Sequence, residues 1–206
     1  MLLNNINNMK DFIYEKDNSL SKELCEKLIN YFESNIEIQY EGIIGVGEKI
    51  SVNKKKKETI DISIKLDELI YGSELYTMVD SLVENLKENL QCYIEKLKEQ
   101  NVKFSIDKLS IKLLLLQRYK SNEGKFTYHT DFKLEKEMKY RLINFIWYLN
   151  DVEEGGETEF FGNYKIKPTQ GKIVFFPSEW FYPHQGKMPL SNNKYILTGW
   201  IHTDVI

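Results

Sequence analysis

Apolar residues recur at two different periods along this chain. In residues 19–34, "SLSKELCEKLINYFES", Leu24, Leu28, Ile29 and Phe32 return at helical spacing, and Ser19 or Ser21 can cap the start. In residues 72–100, Leu75, Met78, Val79, Leu82, Leu86, Leu90, Ile94 and Leu97 trace one long stripe. That stripe predicts a helix packed on the protein's own sheet, in preference to a heptad partner helix. Cys25 lies one turn before Ile29 and reads as a small core residue. From residue 111 the period shortens. "IKLLLLQRY", "RLINFIWYLN", "TEFFG", "YKIKP", "GKIVFFP" and "KYILTGWIH" are short runs rich in aliphatic and aromatic residues, separated by glycine, proline and asparagine. Helices followed by closely spaced strands predict an α+β fold with a jelly-roll core, the double-stranded β-helix, and N-terminal helices packed on its sheet. The expected organisation is one domain over 1–206, with a helical part over 1–105 and the jelly-roll core over about 106–206.

Between the predicted helices the pattern breaks. Residues 42–60 hold Gly42, Gly45 and Gly47 and a run of four lysines, Lys54 to Lys57. The plain reading is a solvated loop, since four adjacent lysines cannot be buried together. The functional reading is a flap over a site, greeting an acidic or phosphorylated partner. In the strand region, Phe145 and Trp147 alternate to the side opposite Tyr148 and read as core against a helix.

Composition narrows the class. Hydrophobic residues make up 42% of the chain and aromatics 13%, a globular balance. The formal net charge of −3 gives no pull toward nucleic acid or an anionic membrane surface. Cys25 and Cys92 form no CxxC pattern, so reduced thiols and a cytoplasmic setting are expected. No signal peptide or membrane span is legible in the sequence.

The chemistry gathers around "TYHTDF", residues 127–132. On a strand, His129 and Asp131 point the same way, so an imidazole nitrogen and a carboxylate oxygen can meet one metal ion. Alone, such a pair is more often a hydrogen-bonded structural pair. A third ligand must come from His184, in "FFPSEWFYPHQGKMP", or from His202. Two histidines and one carboxylate suit Fe(II) with three open positions, or zinc with one. Ten residues after His184 comes Lys194, on one strand face with Ile196, Thr198 and Trp200. A lysine on such a face is costly to bury unless it meets an anion, and otherwise snorkels to water.

These residues, in this order, resemble the prolyl 4-hydroxylase-like branch of the Fe(II)/2-oxoglutarate-dependent dioxygenases. Tyr119 in "QRY" precedes His129 by ten residues, "YLNDVEEGGETEF" is similar to the family's strand and glycine turn, and "GKIVFFPSEWFYPHQG" with "KYILTGW" resembles its distal-histidine segment. The resemblance runs over about 111–202, with a looser likeness at "KKETIDISI", where the family often has arginine in place of lysine. It implies Fe(II) held by His129, Asp131 and His184, and 2-oxoglutarate anchored by Lys194 with Tyr119, Tyr148 and Thr198 beside it. Trp200 would be a wall of the site. It also implies O2-dependent hydroxylation of an unactivated C–H, with ascorbate as a possible supporting reductant.

The expected substrate is a peptidyl proline or a similar side chain, so the expected partner is a peptide or protein. The alternatives are the same chemistry on a free amino acid, small metabolite or nucleobase, or a jelly-roll binding module without catalysis. Arg118 and Arg141 are the chain's two arginines and neither follows His184, which argues against a nucleic-acid demethylase. Oligomeric state is not legible.

Overall fold

The computed structural model describes residues 9–46, 49–102, 109–133 and 139–204. Its helices are α1 (Lys22–Ser34) and α2 (Glu74–Glu99). Its strands are β1 (Tyr14–Lys16), β2 (Tyr40–Glu41), β3 (Ile43–Val46), β4 (Lys49–Val52), β5 (Lys57–Glu58), β6 (Ile60–Lys65), β7 (Leu113–Tyr119), β8 (Lys125–His129), β9 (Lys139–Tyr148), β10 (Thr158–Phe160), β11 (Tyr164–Ile166), β12 (Ile173–Pro177), β13 (His184–Gly186) and β14 (Lys194–Asp204).

The strands form a major sheet in the order β1-β12-β9-β14-β7-β6-β2 and a minor sheet in the order β11-β10-β13-β8-β5. All their pairings are antiparallel. This is the expected jelly roll. The strand period of two gives the major sheet two different faces. On one face Leu114, Leu116, Ile143, Phe145, Trp147, Ile173, Phe175 and Leu197 pack with Leu28 and Phe32 of α1 and Leu82, Leu86 and Tyr93 of α2. On the other face Tyr119, Ile146, Tyr148, Val174, Phe176 and Ile196 turn toward the minor sheet.

Both helices start at serine caps: Ser21 Oγ accepts from the Leu24 amide, and Ser73 Oγ accepts from the Tyr76 amide. Ser19, the other candidate cap, does something else. Its hydroxyl donates to Asn85 Oδ1 at 2.8 Å and accepts from Trp147 Nε1 at 3.0 Å and Asn89 Nδ2 at 3.2 Å. This buried network ties the entrance of α1 to α2 and to the C-terminal end of β9. It satisfies the Trp147 indole N–H, and Asn89 Nδ2 donates to Asn85 as well.

The first hundred residues are less purely helical than expected. They also supply β1, β2 and β6 to the major sheet and β5 to the minor sheet. These strands are short or carry Asp61, Ser63 and Lys57, and that polar content hid the alternation. Within 42–60 there is regular structure, not a plain loop: β3 and β4 pair as a hairpin standing apart from both sheets. Gly47 lies outside the described residues. The lysine run also divides. Lys54 pairs with Glu41 at the surface, while Lys57 is buried against Asp61, with Nζ–Oδ2 at 2.6 Å. Among the described residues no helix is long and apolar enough to cross a membrane. Cys25 is buried and Cys92 exposed, both as free thiols.

Replacing Ser19 with alanine leaves the Trp147 indole N–H and the Asn89 amide without their shared acceptor. The expected cost is about 1–3 kcal/mol. It should appear as a lower denaturant midpoint at unchanged slope; an unshifted midpoint would show the network to be dispensable.

Candidate metal and anion site

His129 and His184 are brought together by strand register. β13 pairs with β8 so that the two histidines are cross-strand neighbours, with ring centroids 4.3 Å apart. Asp131 lies just past the end of β8, since the strand stops at His129. Its carboxylate nonetheless turns to the side of His129 and joins the cluster. Asp131 Oδ1 is 3.8 Å from His129 Nε2, and its Oδ2 is 3.4 Å from His184 Nε2. One ligand atom from each residue lies within 4.8 Å of the others. His202, the other candidate ligand, is buried at the far end of the sheet beside Ser110 and is not part of this cluster.

The surroundings set which atoms face the centre. His129 Nδ1 lies 2.9 Å from the Thr127 carbonyl, and His184 Nδ1 lies 3.1 Å from the Tyr182 carbonyl. A carbonyl can only accept, so each Nδ1 carries the proton and each Nε2 presents a lone pair inward. Phe126 stacks on His129 at 3.5 Å, and Phe160 and Phe176 pack around His184. Burial pushes the His129 imidazole down to about 3; His184 adds to the effect and Asp131 opposes it. Burial alone would raise Asp131. Its contact with His184 and the influence of His129 and Arg141 outweigh that, holding the carboxyl below the usual range. At neutral pH His129 is a neutral imidazole and Asp131 a carboxylate. Three lone-pair atoms facing one point repel each other unless a cation sits between them, and this nitrogen–oxygen set suits a divalent transition metal.

The pattern of residues did not reveal Asn144. Its Nδ2 donates to Asp131 Oδ2 at 2.5 Å from the inward face of β9. A polar residue in step with Ile146 and Tyr148 on a buried strand was the available signal.

The cluster opens into a cavity of about 690 Å³. Tyr119, Lys194, Ile196, Thr198 and Trp200 line it, as strand alternation requires. Lys194 is buried, with Nζ 2.9 Å from the Gly156 carbonyl and 3.9 Å from the centre of the Tyr119 ring. Gly155 and Gly156 have φ of +71° and +73°, so "EGGE" makes the tight turn that aims this carbonyl at Lys194. Burial lowers the Lys194 ammonium to about 7, only partly countered by Glu157. Thr198 Oγ1 donates to the Phe145 carbonyl at 2.7 Å. Tyr148 does not line the cavity. It stands one residue behind, its hydroxyl donating to Thr158 Oγ1 at 2.6 Å, and Thr158 does line it. The Arg141 guanidinium stacks over Trp200 at 3.7 Å, so Trp200 is a wall that also carries a cation. Lys57 is held by Asp61, which also accepts from Gln117 Nε2 at 2.9 Å. Its ammonium stands 5.4 Å from the Phe126 ring, behind the ring that supports His129.

Residues 114–202 match the family model of the 2OG-Fe(II) oxygenase superfamily. No curated protein matches the chain. Solved structures do. The viral collagen prolyl hydroxylase of Paramecium Bursaria Chlorella virus-1, in its complex with 2OG, is 22% identical with a TM-score of 0.64, over 93% of this chain and 96% of that one. A Pseudomonas putida prolyl-4-hydroxylase is 15% identical with a TM-score of 0.65, over 94% and 93%. A Trichoplax adhaerens prolyl hydroxylase, in complex with a hypoxia inducible factor oxygen degradation domain peptide fragment, is 19% identical with a TM-score of 0.64, over 98% and 87%. At these identities the likeness is one of fold.

His184→Ala removes one of three ligands and should abolish tight binding of Fe(II) or Mn(II) while the circular dichroism spectrum is retained. Asn144→Ala leaves the ligands but frees the Asp131 carboxylate, and should weaken binding roughly ten- to a hundredfold. Calorimetric titration with Mn(II) checks both, and unchanged affinity in His184→Ala would contradict the assignment.

Proposed function

We propose that this chain, a 2-oxoglutarate/Fe(II) dioxygenase of the 2OG-Fe(II) oxygenase superfamily through residues 114–202, hydroxylates an unactivated C–H of a peptidyl proline or similar side chain. The observation that carries this reading is the pairing, in one cavity, of the His129–Asp131–His184 cluster with the buried ammonium of Lys194. The metal, when bound, supplies O2 activation coupled to oxidative decarboxylation of 2-oxoglutarate to succinate and CO2.

The protein's part is holding and shielding. His129, Asp131 and His184 ligate the metal through the lone pairs that Thr127, Tyr182 and Asn144 have oriented. Lys194 takes the distal carboxylate of 2-oxoglutarate, replacing a neutral carbonyl partner with an anionic one. Tyr119, which lies over Lys194, and Thr198, on the same strand face, flank the co-substrate. Tyr148 acts through Thr158, which accepts from its hydroxyl and lines the same cavity. The β3–β4 hairpin lines the cavity through Ile43, Ile44, Gly45 and Ile50 and serves as the lid over substrate. The prolyl hydroxylase folds among the similar structures support a peptide substrate.

Lys194→Ala should leave metal affinity intact and raise the 2-oxoglutarate requirement roughly ten- to a hundredfold, the scale of a lost charge-assisted hydrogen bond of about 1.5–3 kcal/mol. The pH dependence follows from the depressed pKa. Below about 7 the ammonium is present and ready for the carboxylate. Above it the free protein must take up a proton to bind, so 2-oxoglutarate affinity should fall as pH rises from 7 toward 9. Calorimetry in buffers of different ionisation enthalpy should show that proton uptake, and a flat profile would exclude this lysine as the anchor.

The activity is tested by incubating proline-containing peptides with protein, Fe(II), 2-oxoglutarate and ascorbate. The expected results are peptide mass gain by one oxygen with stoichiometric succinate, and slower protease cutting within 42–60 when peptide is present. Succinate formation without any peptide product would move the substrate to an amino acid or small metabolite.

A further inference from the structure

The charge of the cavity contrasts with that of the chain. The protein carries a formal net charge of −3. Yet Lys56, Lys57, Lys133, Arg141 and Lys194 line the cavity, and Asp131 is the single carboxylate among its described lining residues. Three of these cations have assigned work. Lys194 faces the co-substrate, Lys57 is neutralised by Asp61, and Arg141 stacks on Trp200 beside Asp131. Lys56 and Lys133 form no ion pair among the described residues. The bound metal and a dianionic co-substrate cancel one another, so loading the site leaves this excess in place.

Both lysines lie close to β8 and its metal ligands. Lys56 lies beside β8, its carbonyl accepting from the Thr127 amide at 2.8 Å, while Lys133 follows Asp131 by two residues. The same cavity also exposes apolar side chains, Ile43 and Ile50 of the hairpin and Tyr128 and Phe132. A surface that combines two lysines with exposed apolar side chains complements a ligand that carries both apolar and anionic groups, as an acidic peptide does. Resting on the hydroxylase reading above, we propose that the substrate is an acidic peptide, with aspartate or glutamate flanking the residue to be hydroxylated, read by Lys56 and Lys133.

The surface geometry also corrects the obvious choice of reader. The lysine run as a block is not the acid-binding element, because Lys54 is spent on Glu41 and Lys57 on Asp61. Of the two that remain, Lys55 and Lys56, Lys56 is the one that lines the cavity, and its partner in recognition comes from a distant part of the chain.

The test uses two fluorescent peptides of about ten residues, identical around a central proline, with flanking glutamates in one and glutamines in the other. Binding is measured without O2 to the full chain loaded with Mn(II) and 2-oxoglutarate. The glutamate peptide should bind about three- to tenfold tighter at low ionic strength, the scale of two exposed charge pairs. The advantage should shrink as salt is raised. The double variant Lys56→Glu/Lys133→Glu should reverse the preference, favouring a lysine-flanked peptide, with 2-oxoglutarate affinity unchanged. Equal binding of the two peptides, or a preference that survives the double variant, would overturn the proposal. So would a loss confined to 2-oxoglutarate affinity, which would mean that the positive mouth serves the co-substrate. Because the readout is binding, failure of prolyl hydroxylation is seen separately, as absence of the oxygenated peptide from either sequence.

Discussion

Everything in this molecule hangs on a sheet whose two faces do different work. A strand turns alternate side chains to opposite sides. Along β9, Ile143, Phe145 and Trp147 therefore meet the helices, while Asn144, Ile146 and Tyr148 meet the cavity side. β7 and β14 follow the same rule, with Leu114, Leu116 and Leu197 toward the helices and Tyr119, Lys194 and Thr198 toward the cavity. The helix face is a dry core made rigid by large aromatics. That rigidity is what allows the opposite face to hold polar groups in place. A lysine or an asparagine on a soft support would rotate toward water; on this sheet its backbone is fixed on both sides by antiparallel neighbours.

Much of this was legible in the sequence for a physical reason: the site uses residue types at odds with their context. Lys194 opens an apolar strand face, His129 and Asp131 sit among aromatics, and His184 follows a hydrophobic strand. Each is expensive where it lies, and expense is visible. Asn144 was not visible, because an amide inside a strand is a small departure and its meaning depends on Asp131 arriving from beyond the end of β8.

The N-terminal strands were missed for the opposite reason. β2 and β5 are two residues long, too short for any period to declare itself. β6 interleaves Ile62 and Ile64 with Asp61 and Ser63, and the lysine run just before it looked like solvent-exposed chain. The decisive fact is tertiary. Asp61 comes from β6, one strand in from the edge of the major sheet, and Lys57 comes from the edge of the minor sheet next to β8. Their contact closes the corner where the chain crosses between sheets, which no local pattern can announce.

Comparing the two buried lysines separates structure from function. Lys57 and Lys194 are both almost fully enclosed. An ammonium moved out of water needs compensation, and a carboxylate is the strongest compensation a protein can supply. Lys57 receives it from Asp61 at 2.6 Å, together with an aromatic face, and its charge is settled within the fold. Lys194 receives a peptide carbonyl and the face of Tyr119, and its nearest acid, Glu157, offsets only part of the cost of burial. The first lysine is finished, and removing Asp61 would damage it. The second is deliberately left short of an anion at the wall of a cavity that also holds three converging metal-ligand atoms. A fold that could have supplied a carboxylate there, as it does for Lys57, supplies a neutral oxygen instead, and so leaves the stronger interaction for a ligand to complete.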